Sequence, residues 1–130
     1  MSREQEIARA LGYRKDVRLL AWISDTISDE TLSDKVCAEE DLDRWIDSLE
    51  GQAAIRDRVR ELCRERDLLI VIELHPIWAE SIELRDINKT LPSGKYYPVW
   101  WAANCKTDIW GEALLWLDRQ QKSAPAAATD

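Results

Sequence analysis

At residue 68 the period of the sequence changes. Leu68-Leu-Ile-Val-Ile-Glu-Leu74 is an aliphatic, β-branched run of strand length, closed by His75-Pro76, and it follows a first half written mostly in helical spacing. Such a run predicts a central strand buried on both faces. Two more strands are expected after it. Residues 81–88 alternate, with Ile82, Leu84 and Asp86 on one face and Glu83, Arg85 and Ile87 on the other, although residues 76–87 also have room for a short helix. Leu91-Pro-Ser-Gly94 has proline second and glycine fourth, the pattern of a turn, and residues 95–103 supply the third strand. Pro98 has no amide proton to donate, so that strand belongs at an edge or carries a bulge.

Helices are expected on either side. Ser2 and Gln5 are spaced as a capping box, Ile7, Ala10 and Leu11 form an apolar face, and Gly12 stands where a left-handed stop belongs. A second helix is expected over about 16–27, from Leu19, Leu20, Ile23 and Ile27, while 17–23 also fits a strand. A third covers 39–50, with Leu42, Trp45, Ile46 and Leu49 turned to the core and Glu39, Glu40, Asp43, Asp47 and Glu50 on another face. Gly51 is expected to break it. The next helix turns Ile55, Val59, Leu62 and Cys63 inward and carries an Arg56, Arg60, Arg64 stripe flanked by Asp57, Glu61 and Glu65. A last helix, capped by Thr107 or Asp108, runs to about 121. Helices, a strand meander and a closing helix imply an α+β fold, one three-stranded antiparallel sheet packed by about five helices. The 130 residues suit a single domain over 1–122, with the Ser-Ala-Pro-Ala-Ala-Ala-Thr-Asp stretch at 123–130 read as a disordered tail.

Charge narrows the functional classes. The formal net charge of −7 argues against sequence-independent nucleic-acid binding. Residues 25–50 hold ten acidic and two basic side chains and account for the whole excess. Cys37, Cys63 and Cys105 are too far apart in sequence for a metal or redox pair, which fits a reducing compartment. With no basic-then-apolar start and no apolar run long enough to span a bilayer, the expectation is a cytoplasmic protein without a membrane partner.

Catalytic patterns are scarce. Four glycines at 12, 51, 94 and 111 cannot form a phosphate-cradling loop, so no nucleotide cofactor is expected. His75 is the only histidine. An enzymatic reading would pair it with Glu73 and Cys105, or gather Glu73, Glu80, Glu83 and Asp86 around a divalent metal. Histidine ending a strand and solvated strand carboxylates explain the same residues, and a non-enzyme without cofactor or metal is expected.

Two features point to binding. Carboxylates at Glu39, Asp43, Asp47 and Glu50 on one helix would rise by about 4.5–6 Å per step, a negative row able to imitate a nucleic-acid backbone. A solvated face paired with the Arg56, Arg60 and Arg64 stripe is the alternative. Seven tryptophans with no phenylalanine are the second feature. Trp100 and Trp101 are adjacent on a strand and must point to opposite faces, and Trp110 and Trp116 lie about 120° apart on a helix. Some exposed indole is expected, and with it an interaction surface built from Trp100 or Trp101 with Trp110 or Trp116. Helices covering both faces of the sheet would instead take up both indoles.

Ile7-Ala-Arg-Ala-Leu-Gly-Tyr13 resembles the opening of the phage α/β/α-sandwich domain family, and Thr107 followed by Glu112-Ala-Leu114 is similar to that family's terminal helix, with one extra residue before the glutamate. The resemblance implies a phage or prophage accessory protein without assigned catalytic residues, acting in the cytoplasm of a bacterial host. By analogy with acidic phage inhibitors such as anti-CRISPR proteins, the expected partner is a host protein complex with a basic surface. There is no direct nucleic-acid contact in this reading, and a homodimer is the alternative assembly.

Overall fold

The structure is a computed structural model that describes residues 2–24, 35–74, 76, 80–104 and 108–127. The fold is α+β, but the described residues form two three-stranded antiparallel sheets and four α-helices, where one sheet and about five helices were expected. The chain divides into two compact units, Met1–Ile55 and Arg56–Asp130.

In the first unit, helix α1 (Arg3–Ala10) starts with the expected capping box. The Ser2 hydroxyl accepts from the Gln5 amide and the Gln5 side chain accepts from the Ser2 amide, both at 3.2 Å. Gly12 follows with φ +88°, where a side chain would be strained. Strands β1 (Tyr13–Asp16), β2 (Ala21–Ser24) and β3 (Lys35–Ala38) then pair in that order. This sheet replaces the helix expected over 16–27. The buried Asp16 carboxylate accepts from the amides of Arg18 at 2.9 Å and Leu19 at 3.1 Å, a side-chain turn that offers the backbone an alternative to helix and reverses the chain. Ala21, Trp22 and Ile23 are all buried in succession, whereas Leu19 and Leu20 are exposed. The strand alternative was nearer, and the strand starts four residues later. Ile27 lies outside the described residues.

A 3-10 turn (Glu39–Asp41), helix α2 (Leu42–Ile46) and the start of α3 (Leu49–Glu65) occupy the segment expected as one helix. The break falls at Asp47-Ser48, not at Gly51, which lies inside α3. Its loose ends are satisfied locally. The Trp45 carbonyl accepts from the Ser48 amide at 3.0 Å and from its hydroxyl, the Ile46 carbonyl accepts from the Gln52 side chain at 2.9 Å, and the Ser48 hydroxyl accepts from the Gly51 amide at 3.1 Å. Restarting the helix shifts its phase. Leu42 and Ile46 are buried as expected, Trp45 is half-buried, and Leu49 is 93% exposed instead of in the core.

In the second unit Val59, Leu62 and Cys63 of α3 are buried, as the spacing required, and so is Ile55 just before the boundary. Strands β4 (Leu68–Glu73), β5 (Glu80–Thr90) and β6 (Tyr96–Asn104) form an antiparallel meander in sequence order. The expected central strand is therefore at an edge. β5 takes the centre because both its connections return to a neighbour, and its Ile82 and Leu84 are fully buried while β4 is half-buried to exposed. Pro98 meets both conditions set for it. β6 is the other edge, and the register shift that pairs Leu84 with Trp100 and Arg85 with Pro98 leaves Val99 as the bulged residue. The turn before β6 closes as expected, with the Gly94 amide donating to the Leu91 carbonyl at 2.8 Å and Gly94 at φ +88°. Helix α4 (Ile109–Ala127) is capped by Asp108, whose carboxylate accepts from the Gly111 amide at 3.0 Å; Thr107 lies outside the described residues. The helix continues into residues 123–127, part of the stretch read as a tail, where alanine is the best helix former.

Candidate interaction surfaces

The acidic residues of 39–50 do not form one stripe. Glu39 and Glu40 are on the 3-10 turn, Asp43 is in α2, Asp47 follows it and Glu50 opens α3. Glu39 pairs with Lys15 of β1. Glu40, Asp43, Asp47 and Glu50 are exposed and make no ion pair among the described residues. Two members of the arginine stripe are engaged elsewhere. Arg56 reaches Glu80 at 3.8 Å and its guanidinium lies 5.3 Å from the centre of the Trp110 ring, and Arg60 pairs with Asp57 at 3.7 Å, all within the second unit.

Two concavities border this segment in the first unit. One of about 570 Å³ has Glu39, Glu40, Lys35, Gln5, Leu19 and Leu20 on its wall. The other, about 320 Å³, is walled by Asp41, Glu50, Arg44, Ser48, Cys37 and Trp45. The Tyr13 ring meets Trp45 edge-on at 5.7 Å. Burial, and then the charge of Glu50 and Cys37, pushes the Tyr13 phenol up. The Cys37 thiol is likewise pushed up, by burial and by Asp41 against a smaller opposing effect of Lys35, and burial carries Cys63 to about 11. Both thiols stay protonated near neutrality, the opposite of what a nucleophilic cysteine needs.

The tryptophans separate sharply. Trp100 and Trp101 do point to opposite faces of β6. Trp100 is half-buried with its ring 6.3 Å from that of Trp116, also half-buried, at 32° between planes. Trp101 is 60% exposed. Trp110 is in the core, its indole donating to the Glu80 carboxylate at 3.1 Å, so the surface expected from one strand indole and one helix indole has a single fully presented member, Trp101. The sequence did hold a signal for Trp110: it precedes Ala113, Leu114 and Leu117 at helical spacing, and these three are buried with it.

The residues considered for catalysis are engaged or dispersed. Glu80 is held by Trp110 and Arg56, and Glu83 forms a two-bond pair with Arg85 at 2.9 and 3.1 Å on the opposite face of β5. Among the described residues no group of three or more His, Cys, Asp or Glu side chains could hold a metal ion. His75 and Cys105 lie outside the described residues. No described helix is long and apolar enough to cross a membrane.

What sequence reasoning missed is the apolar edge of the second sheet, where Leu69, Ile72 and Leu74 are exposed along and just beyond β4. An aliphatic run reads as buried unless its neighbours in the sheet are known. Comparison with protein-family models, with curated proteins and with solved structures finds no match in any of the three.

Proposed function

We propose that the chain acts by binding a protein and not by catalysis: its carboxylates at 39–50 occupy the basic nucleic-acid channel of a partner, in the manner of a phage or prophage accessory inhibitor. The observation that carries this reading is the set of four exposed carboxylates, Glu40, Asp43, Asp47 and Glu50, without ion pairs among the described residues, in the segment that holds the chain's excess negative charge. A carboxylate already clamped by arginine must give up that contact before it can meet another cation. These four need not. Their field attracts a basic surface over about 10 Å at ordinary salt and speeds encounter with it, so affinity depends on ionic strength.

The test is capture from a bacterial lysate at low and high salt, with wild-type chain and an Asp43→Lys/Asp47→Lys variant, followed by competition with the captured protein's nucleic acid. The expected result is a partner held at low salt, released at high salt, lost with the variant, and stripped of its nucleic acid by the wild type. Equal retention by a folded variant defeats the reading. Assembly through a tryptophan surface is the second reading. Trp101 at 60% exposure favours it, but Trp110 is buried and Trp100 and Trp116 cover each other.

A further inference from the structure

We infer that β4 is the seam of a homodimer, two copies pairing antiparallel along this edge so that two three-stranded sheets become one of six. The inference does not rest on the acidic surface. It starts from how the four sheet edges are protected.

An edge strand presents unpaired amides and carbonyls to any other strand, and proteins blunt such edges with charge, proline, bulges or brevity. Three edges here carry those devices. β1 has only four residues and shows Arg14 and Lys15 to solvent, β3 has four and exposes Lys35, and β6 has Pro98 and a bulge. β4 carries only one charge, Glu73 at its end. Its six residues, Leu-Leu-Ile-Val-Ile-Glu, contain no proline or basic side chain, and its pairing with β5 runs without a register shift from Leu68 to Glu73. The unprotected edge also exposes large apolar side chains, with Leu69 at 40%, Ile72 at 45% and Leu74 at 78%.

A second copy fits this edge in one register better than in its neighbours. Two copies related by a twofold axis normal to the sheet keep like faces together, so opposed residues must share strand parity. Pairing centred on Val71 sets Val71 against itself, Ile70 against Ile72, Leu69 against Glu73 and Leu68 against Leu74. Ile72 and Leu74 gain apolar partners, and no like charges oppose. Centring on Ile70 sets Asp67, at the head of the strand, against Glu73 twice, and centring on Ile72 leaves Leu68 opposite Pro76, which has no amide to donate. Like charges directly opposite destabilise a ladder and proline interrupts one, so the residues on either side of the strand select the Val71 register. The strand is its own complement, and antiparallel pairing continues the pattern of the whole sheet.

Sedimentation velocity on the full chain through the micromolar range is expected to show a monomer–dimer equilibrium. Ile72→Lys is expected to weaken it at least about tenfold. Leu74→Lys, at a position too exposed to threaten the fold, shifts it in the same direction, and Trp101→Lys on the other edge strand leaves it unchanged. Under mild oxidation Val71→Cys is expected to yield a covalent dimer well above the wild-type background, and Leu69→Cys to remain at that background. A wild-type chain monomeric throughout leaves the edge to a strand of some other protein and overturns the inference. So does a dimer that survives both β4 lysines, or one that Trp101→Lys abolishes. The Asp43→Lys/Asp47→Lys variant is expected to dimerise like the wild type, which keeps this result separate from the fate of the acidic surface.

Discussion

The two sheets are alike in strand number and direction and opposite in what they present. In the first unit the strands are four residues long, the edges carry Arg14, Lys15 and Lys35, and the nearby turn and helix ends display Glu40, Asp43, Asp47 and Glu50. In the second unit the strands run from six to eleven residues and the exposed large apolar side chains on and beside the outer strands are Leu69, Ile72, Leu74, Tyr96, Tyr97 and Trp101. Charge repels a second strand and attracts an oppositely charged partner; an apolar edge does the reverse. One surface is thus proposed for a different protein and the other for a second copy of the chain.

Their cores differ as well, and this gives the largest expected effect. Trp22 is the largest fully buried side chain among the described residues, and the first core holds Ile7, Ile23, Leu42 and Ile46 as well as the small residues Ala8, Ala10 and Ala21. The second core also holds an indole, Trp110, but its largest fully buried side chains are aliphatic and of similar size, Ile82, Leu84, Leu114 and Leu117. Truncating one indole removes more buried surface than truncating one leucine. Trp22→Ala is expected to cost about 4 kcal/mol and Leu84→Ala about 3 kcal/mol, read from urea unfolding. A leucine truncation that costs more than the tryptophan would mean that the small residues of the first core close over the gap.

A smaller effect tests the junction that displays the acidic residues. Gly→Ala inside a helix is ordinarily stabilising, by up to about 1 kcal/mol. At Gly51 an added methyl would strike the Trp45 carbonyl oxygen and lie 2.9 Å from the Ile46 Cα, both backbone atoms that cannot rotate away. Gly51→Ala is therefore expected to destabilise by about 2 kcal/mol, in the range of overpacked sites. A neutral or stabilised variant would show that α2 and α3 move apart easily, and the placement of Asp47 and Glu50 would lose its rigidity with them.

The same contrast explains what the sequence revealed. Long strands and a proline on an edge are legible, because alternation and a missing amide act over many residues; hence β5, β6, the turn at Gly94 and the inward face of α3. Four-residue strands are not. Over so short a span Leu19, Leu20 and Ile23 satisfy helical spacing as well as any helix would, and the carboxylate of Asp16, which decides the matter, is a single side chain. The acidic row failed for a related reason. Its residues were identified, but their alignment assumed an uninterrupted helix, and the Ser48 and Gln52 contacts that restart it impose a new phase. For β4 the composition was right and the position wrong, since sheet order depends on connections that composition does not encode.

The smallest expected effect compares two left-handed residues, one in each unit. Leu20 has φ 52° and Asp67 has φ 55°. In this region an L residue costs roughly 1–2 kcal/mol, while glycine adopts it freely at an entropic cost of about 0.5–1 kcal/mol in the unfolded chain. Aspartate visits the region more readily, and here its side chain is used: the Asp67 carboxylate accepts from the Asn88 amide group at 3.4 Å while its carbonyl accepts from the Ile87 amide at 3.2 Å. Leu20 has only its carbonyl in use, accepting from the Glu39 amide at 2.8 Å, and its exposed side chain borders the larger concavity. Leu20→Gly is thus expected to stabilise by about 0.5 kcal/mol and Asp67→Gly to be neutral or slightly destabilising, both read from thermal and urea midpoints. A gain at Leu20 would mean that the chain tolerates strain there for the sake of an apolar group at the mouth of the acidic concavity. A loss would mean that the leucine side chain contributes to the fold, and that the first unit is held together at its turns as well as by Trp22.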